Sequence, residues 1–151
     1  MPPSFRDILR ELKDYPERLE SELRLAVKKG SRDLQREARQ KHDFKTRTGA
    51  LERSVQFVFD QKKIRSDLFL NTAVAKYAAA VHDGSKPHII QPNQRKALRF
   101  VKNSNFIFAK MVRHPGYKGD PFLFDAFDKK GGLIAEQIAK SATKLEVFKN
   151  G

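Results

Sequence analysis

The sequence predicts an α+β fold, and three observations carry that expectation. Apolar residues recur at helical spacing at both ends of the chain. The middle holds two pairs of short alternating stretches, each joined by a polar turn. A single helix-like segment lies between the two pairs, so helices and strands are segregated. The expected architecture is a small antiparallel sheet built from two hairpins. It packs with a central helix and is flanked by a long N-terminal helical region and by C-terminal helices. At 151 residues a single domain is expected, with 1–45 as a helical arm, 46–127 as the α+β core and 128–151 as a C-terminal helix.

In chain order, Ser4 with Asp7 forms a capping-box start. Phe5, Ile8, Leu9 and Leu12 then share one helical face. Tyr15-Pro16 predicts a break and the first turn of a second, longer helix. Leu19, Leu23, Val27, Leu34 and Ala38 mark that helix, and Gly30 should weaken it locally. It is expected to end near 41–44. Lys45 to Gly49 reads as a basic turn.

Val55, Phe57 and Phe59 alternate with polar residues, a strand with one buried face. Gln61-Lys62-Lys63 turns the chain, and 64–71 returns. Thr72 is expected to cap a third helix carrying Val74, Tyr77, Ala78 and Val81 on one face, which Asp83-Gly84 ends. Pro87 and Pro92 hold 85–94 extended. Leu98–Phe100 and Phe106–Phe108 flank a second hairpin turn, and their alternating Phe100, Phe106 and Phe108 are expected to be buried. Asp120 should cap a helix starting at Pro121 that buries Phe122, Leu123 and Phe127. Gly131-Gly132 predicts a break before a last helix bearing Ile134, Ile138, Ala142 and Leu145.

Composition excludes several classes. There are no cysteines, which removes disulfides, thiolate catalysis and Cys-ligated zinc. The N-terminus does not read as a signal peptide, and no segment approaches the roughly 20 apolar residues of a membrane span. A soluble protein without a membrane partner is expected. Phosphate-loop, dinucleotide and serine-hydrolase motifs are missing. His82, His88 and His114 lie near carboxylates but without metal-ligand spacing, so neither a catalytic nor a metal site is expected, and no cofactor. His82 is read as ending its helix and His114 as ordering the loop before Pro115.

Charge is the strongest functional signal. The net charge is +13, above the magnitude of about 2–8 that keeps a small domain soluble. It is not a tail: residues 1–50 carry 13 basic and 9 acidic groups, 51–100 carry 9 and 4, and 101–151 carry 9 and 5. Between Gly84 and Gly119 there is no acidic residue, against eight cations: Lys86, Arg95, Lys96, Arg99, Lys102, Lys110, Arg113 and Lys118. An anionic partner follows. With the aromatics expected in the core, it would be met through its backbone without base readout. The candidate DNA-facing residues are Lys45, Arg47, Lys86, Arg95, Lys96, Arg99 and Arg113.

An ordered series of short motifs adds a resemblance. Thr48-Gly49-Ala50-Leu51 with Ser54-Val55 is followed by Tyr77-Ala78, Val81 and Gly84-Ser85. Then come Pro92, Lys96-Ala97-Leu98 with Phe100, His114-Pro115-Gly116-Tyr117, and Pro121-Phe122-Leu123 with Ala126. Over about 46–127 this resembles the minor tail, neck or head–tail joining proteins (tail-completion type) of long-tailed double-stranded DNA bacteriophages. His82-Asp83 stands where that pattern carries an acidic residue such as Glu.

The resemblance implies a structural virion protein rather than an enzyme. It would be assembled in the host cytoplasm and located at the head–tail junction. It implies a homo-oligomeric ring, a hexamer, whose neighbours are connector and tail-terminator or tail-tube proteins and whose lumen passes double-stranded DNA. The candidate subunit or neck contacts are Lys62, Lys63, Asp83, Gly84, Ser85, Pro92, His114, Pro115, Gly116, Tyr117 and Pro121. The alternative is a stand-alone, non-specific nucleic-acid-binding protein. A nuclease using His88 or His114 is a remote third.

Overall fold

Helix α1 runs unbroken from Phe5 to Gln40, a rod of about 54 Å at 1.5 Å per residue. The structure, a computed structural model, describes residues 5–143, and of Phe5, Asp7, Ile8, Glu11 and Leu12 the backbone alone. The Ser4 cap, Leu145 and the chain beyond 143 lie outside the described residues, as do the side chains of the proposed Phe5, Ile8 and Leu12 face. Leu9 of that face is exposed.

The predicted stop at Pro16 does not occur. Proline there removes one amide from the helix ladder, but Pro16 is exposed, so water can take over the carbonyl that loses its partner. The same correction applies at Gly131-Gly132. Helix α4 continues from Phe122 to Thr143, and Gly131 lies against the Phe127 ring. Each glycine costs about 1 kcal/mol in a helix, which packing between two long helices outweighs.

Helices α1 and α4 pack antiparallel. Ala38 meets Phe122 and Ala126 at one end, and Gly30 meets Ile134 further along. Gly30 is buried because the helices touch there; a Cβ would overlap the Ile134 side chain. What reads in sequence as a weak point is a point of close approach.

Strands β1 (Val55–Asp60) and β2 (Arg65–Leu70) form the first hairpin, with Val55 opposite Leu70 and Asp60 opposite Arg65. Asp60 closes its tip by accepting the Lys62 and Lys63 amides at 2.9 and 3.2 Å. The hairpin lies along α1: Gln35 and Arg39 donate to the Val55 carbonyl at 2.9 and 2.8 Å, and Arg24 reaches the Gln61 carbonyl at 3.2 Å. A short helix α2 (Ala50–Ser54), which the sequence reading lacks, leads into β1 and buries Leu51 and Ser54.

The central helix α3 is only Ala78–Asp83. Thr72 does not cap it. Asn71 instead folds 71–75 into a turn, its side chain accepting the Ala73 amide at 3.0 Å and its carbonyl the Val74 and Ala75 amides. Val74 and Tyr77 are consequently exposed.

Strands β3 (His88–Ile90) and β6 (Val112–His114) pair antiparallel, and β4 (Leu98–Lys102) pairs with β5 (Asn105–Ala109) as the second predicted hairpin. Asn103 and Ser104 at its tip both have positive φ, as a two-residue hairpin turn requires. The class is therefore α+β, with helices at both ends and small antiparallel two-stranded sheets; β3–β6 is the pair that sequence reading leaves as loop.

The core is small and alanine-rich: Ala38, Leu51, Val55, Ala75, Ala78, Phe122 and Ala126. Phe122 is fully buried, with the Phe44 and His82 rings edge-on at 5.2 Å each. Asp120 ties this centre together. Its carboxylate accepts the Asp43 and Phe44 amides at 2.6 and 2.9 Å, and its own amide donates to the Val81 carbonyl at 2.9 Å. It thus joins the end of α1, α3 and the start of α4 rather than capping its own helix.

Candidate functional site

The predicted contact residues sort into three places. Asp83, Gly84 and Ser85 meet His114, Pro115, Gly116 and Tyr117 in one junction. There Ser85 and Tyr117 exchange backbone hydrogen bonds of 2.8 and 2.9 Å. The Gly116 amide donates to His114 Nδ1 at 3.1 Å, so His114 does order this loop. Gly116 has φ of +89°, and a Cβ there would overlap the Ser85 carbonyl, so only glycine lets the two chains close. Pro121 is exposed at the foot of α4, beside this junction in sequence. Lys62 and Lys63 are elsewhere, exposed at the β1–β2 tip, and Pro92 belongs to the loop before β4.

The seven candidate DNA-facing cations are all exposed, and none makes an ion pair among the described residues. They divide in two. Lys45 and Arg47 rim a cleft of about 380 Å³ between the loop after α1 and Tyr77 and Val81. Arg95, Lys96 and Arg99 lie on or before β4, while Lys86 precedes β3 and Arg113 sits on β6 opposite Ile89. A gap lined by Ile90, Leu98, Arg99, Phe100 and Val112 brings the β3–β6 pair and the β4–β5 hairpin side by side.

The main correction concerns the aromatics. Phe106 and Phe108 are 62% and 67% exposed, Phe100, expected to be buried with them, is 38% exposed, and Phe127, expected in the core, is 62% exposed. The hairpin register explains the first two. Leu98, Phe100, Ile107 and Ala109 share one face, which turns toward β3–β6, and Arg99, Val101, Phe106 and Phe108 share the other. Among the described residues nothing covers that second face, and the Arg99 guanidinium lies over the Phe106 ring at 4.8 Å. Both alternating sets of the hairpin are apolar. A two-stranded ribbon on a small domain cannot have both faces covered by its own chain, and that was the signal available in sequence.

The three histidines fall in two places, His82 in α3 and His88 with His114 across the β3–β6 pair. His82 lies in the last turn of α3, as read from the sequence, and is buried. Its Nδ1 lies 2.6 Å from Asp83, Phe122 and Phe124 pack edge-on against its ring, and its Nε2 has no partner among the described residues. His88 and His114 stack across β3–β6 at 5.0 Å, with His88 Nδ1 held by the Lys86 carbonyl at 2.8 Å. Among the described residues no three His, Asp or Glu side chains come together as metal ligands would, and no helix is long and apolar enough to cross a membrane. Comparison with known proteins finds no matching family model, no similar curated protein and no similar solved structure.

Proposed function

We propose that this chain is a structural component of the neck of a long-tailed double-stranded DNA phage. It would form part of a ring at the head–tail junction through which the genome passes, with connector and tail proteins as its neighbours. The observation that carries the reading is a surface the chain builds and leaves uncovered: Arg99, Val101, Phe106 and Phe108 on a projecting hairpin. Such a ribbon is marginal alone and gains its cover from a neighbour. The ordered motifs of 46–127 give the setting.

The seven exposed cations without ion pairs suit a lumen that DNA slides through. Attraction of this kind is diffuse, lacks base readout and weakens steeply with salt. Electron microscopy of virions from the source phage tests the reading. Closed-ring density fitted by this fold at the head–tail junction is the expected result; particles lacking the chain would sink it. Changing Lys45, Arg47, Arg95 and Lys96 together to Glu should lower DNA retention in particles while folding is unchanged, because all four side chains are exposed.

A second reading, a stand-alone non-specific nucleic-acid-binding protein, gains from the exposed Phe106 and Phe108 beside Arg99, since exposed aromatics flanked by cations can stack on unpaired bases. It predicts that the purified protein alone retards DNA, single strands most, and is absent from particles.

A further inference from the structure

We propose that the outward face of the β4–β5 hairpin, with the loop that leads into it, is a binding site for single-stranded nucleic acid. Phe106 and Phe108 are its base platforms, and Arg95 and Arg99 are its phosphate contacts. The proposal rests on the second reading above, nucleic acid as the partner, and gives that reading a site.

Phe106 and Phe108 stand two residues apart on β5, so they leave the same face about 7 Å from one another. Both rings are largely exposed, and Val101, opposite Phe106, widens the apolar floor. Aromatic side chains on an open sheet face are how sheet-based RNA-binding modules stack successive bases. Stacking needs a base with a free face, which an unpaired strand offers and a duplex does not.

Arg99 links this face to a second feature. Its guanidinium lies over Phe106, and the same residue borders an open pocket of about 540 Å³ together with Asn93, Gln94 and Arg95. Two arginines at one pocket suit phosphate, because the guanidinium fork matches its oxygens. The pocket lies at the start of β4, and Arg99 pairs across the hairpin with Phe108. A strand can therefore set a phosphate between Arg95 and Arg99 and lay its next bases on Phe108 and then Phe106.

Charge selects an anion as the occupant. The hairpin belongs to a stretch with eight cations and no acidic residue, and none of the eight makes an ion pair among the described residues. Nor does the hairpin pack substantially on any acid-bearing helix of its own chain. An acidic protein segment would need aromatic residues of its own to use the rings. In a nucleic-acid strand every base brings a flat face and every linkage a negative charge, so rings and cations are served together.

The chain has no tryptophan, which allows stacking to be read directly. In full-length F108W the sole indole sits on the proposed platform. Its fluorescence should be quenched as an oligothymidylate of about 12 nucleotides is added, a length within common site sizes. A matching duplex or polyglutamate should leave the emission unchanged. F106S and F108S should each weaken binding of the labelled oligonucleotide about tenfold. R95Q should lower the slope of log K against log salt by about 0.7, the share of one phosphate on a single strand. Binding with an unquenched indole and unchanged F106S and F108S affinities would put the strand elsewhere, overturning the site and leaving the second reading. Quenching by polyglutamate or duplex as strong as by the oligonucleotide would also overturn it, since the rings would not be stacking on free bases. Failure to bind any single strand would remove the site and the second reading together.

Discussion

Phe122 and Phe108 are the same residue type fourteen positions apart, and they mark two regions built on opposite terms. Around Phe122 every element is covered by another: α1 lies on α4, β1 is pinned to α1 through the Val55 carbonyl, and Asp120 ties three segments at once. Around Phe108 the chain runs outward in short strand pairs, with apolar side chains facing solvent and only positive charge beside them. The body supplies its own stability. The 84–119 extension contributes no residue to the buried core cluster. Aromatic content alone cannot distinguish the two; what does is whether the chain has an element left to cover the ring.

The sharpest way to break this comparison is Phe122→Ala. A fully buried ring in a core otherwise made largely of alanines leaves a hole its neighbours cannot fill. The expected loss is about 3–5 kcal/mol by urea unfolding. A loss below about 1 kcal/mol would mean that stability resides elsewhere. Next comes Asp120→Ala, which leaves the half-buried amides of Asp43 and Phe44 without their acceptor and should cost about 1–3 kcal/mol. Hydrogen exchange should quicken at those two amides first. Unchanged protection there would show that Asp120 does not hold α1 to α4.

Much of the body was legible because its signals are local. Alternation located both hairpins, Lys62-Lys63 and Asn103-Ser104 marked their tips, and helical spacing identified the two terminal helices. The errors came where a local signal met a tertiary contact. Pro16 and Gly131-Gly132 are breakers by propensity, and pairing of two long helices overrode them. Gly30 read as weakness because nothing local announces Ile134 across the interface. The β3–β6 pair joins residues more than twenty positions apart through strands of three, too short for alternation to register.

For the site, all seven chosen cations are exposed, as charged side chains usually are. The exposed phenylalanines were missed because alternation says which residues share a face and not whether that face is covered. Counting covering elements would have corrected this, since two apolar faces of one ribbon require two partners and, among the described residues, β3–β6 alone lies beside it.

The smallest expected stability effect sharpens the comparison most. Phe108→Ser should leave the unfolding free energy within about 0.5 kcal/mol, as surface changes usually do, because its ring is 67% exposed and little area returns to water. Phe106→Ser should cost slightly more, since it also removes the Arg99 contact, worth about 0.5–1 kcal/mol at an exposed site. The two variants therefore have a predicted order as well as a predicted size, with Phe108→Ser nearer zero, and urea midpoints measured side by side resolve it. If Phe108→Ser instead approached Phe122→Ala, the ring would have to be buried in the isolated protein. The extension would then belong to the core, and the division into a closed body and an open contact region would fall.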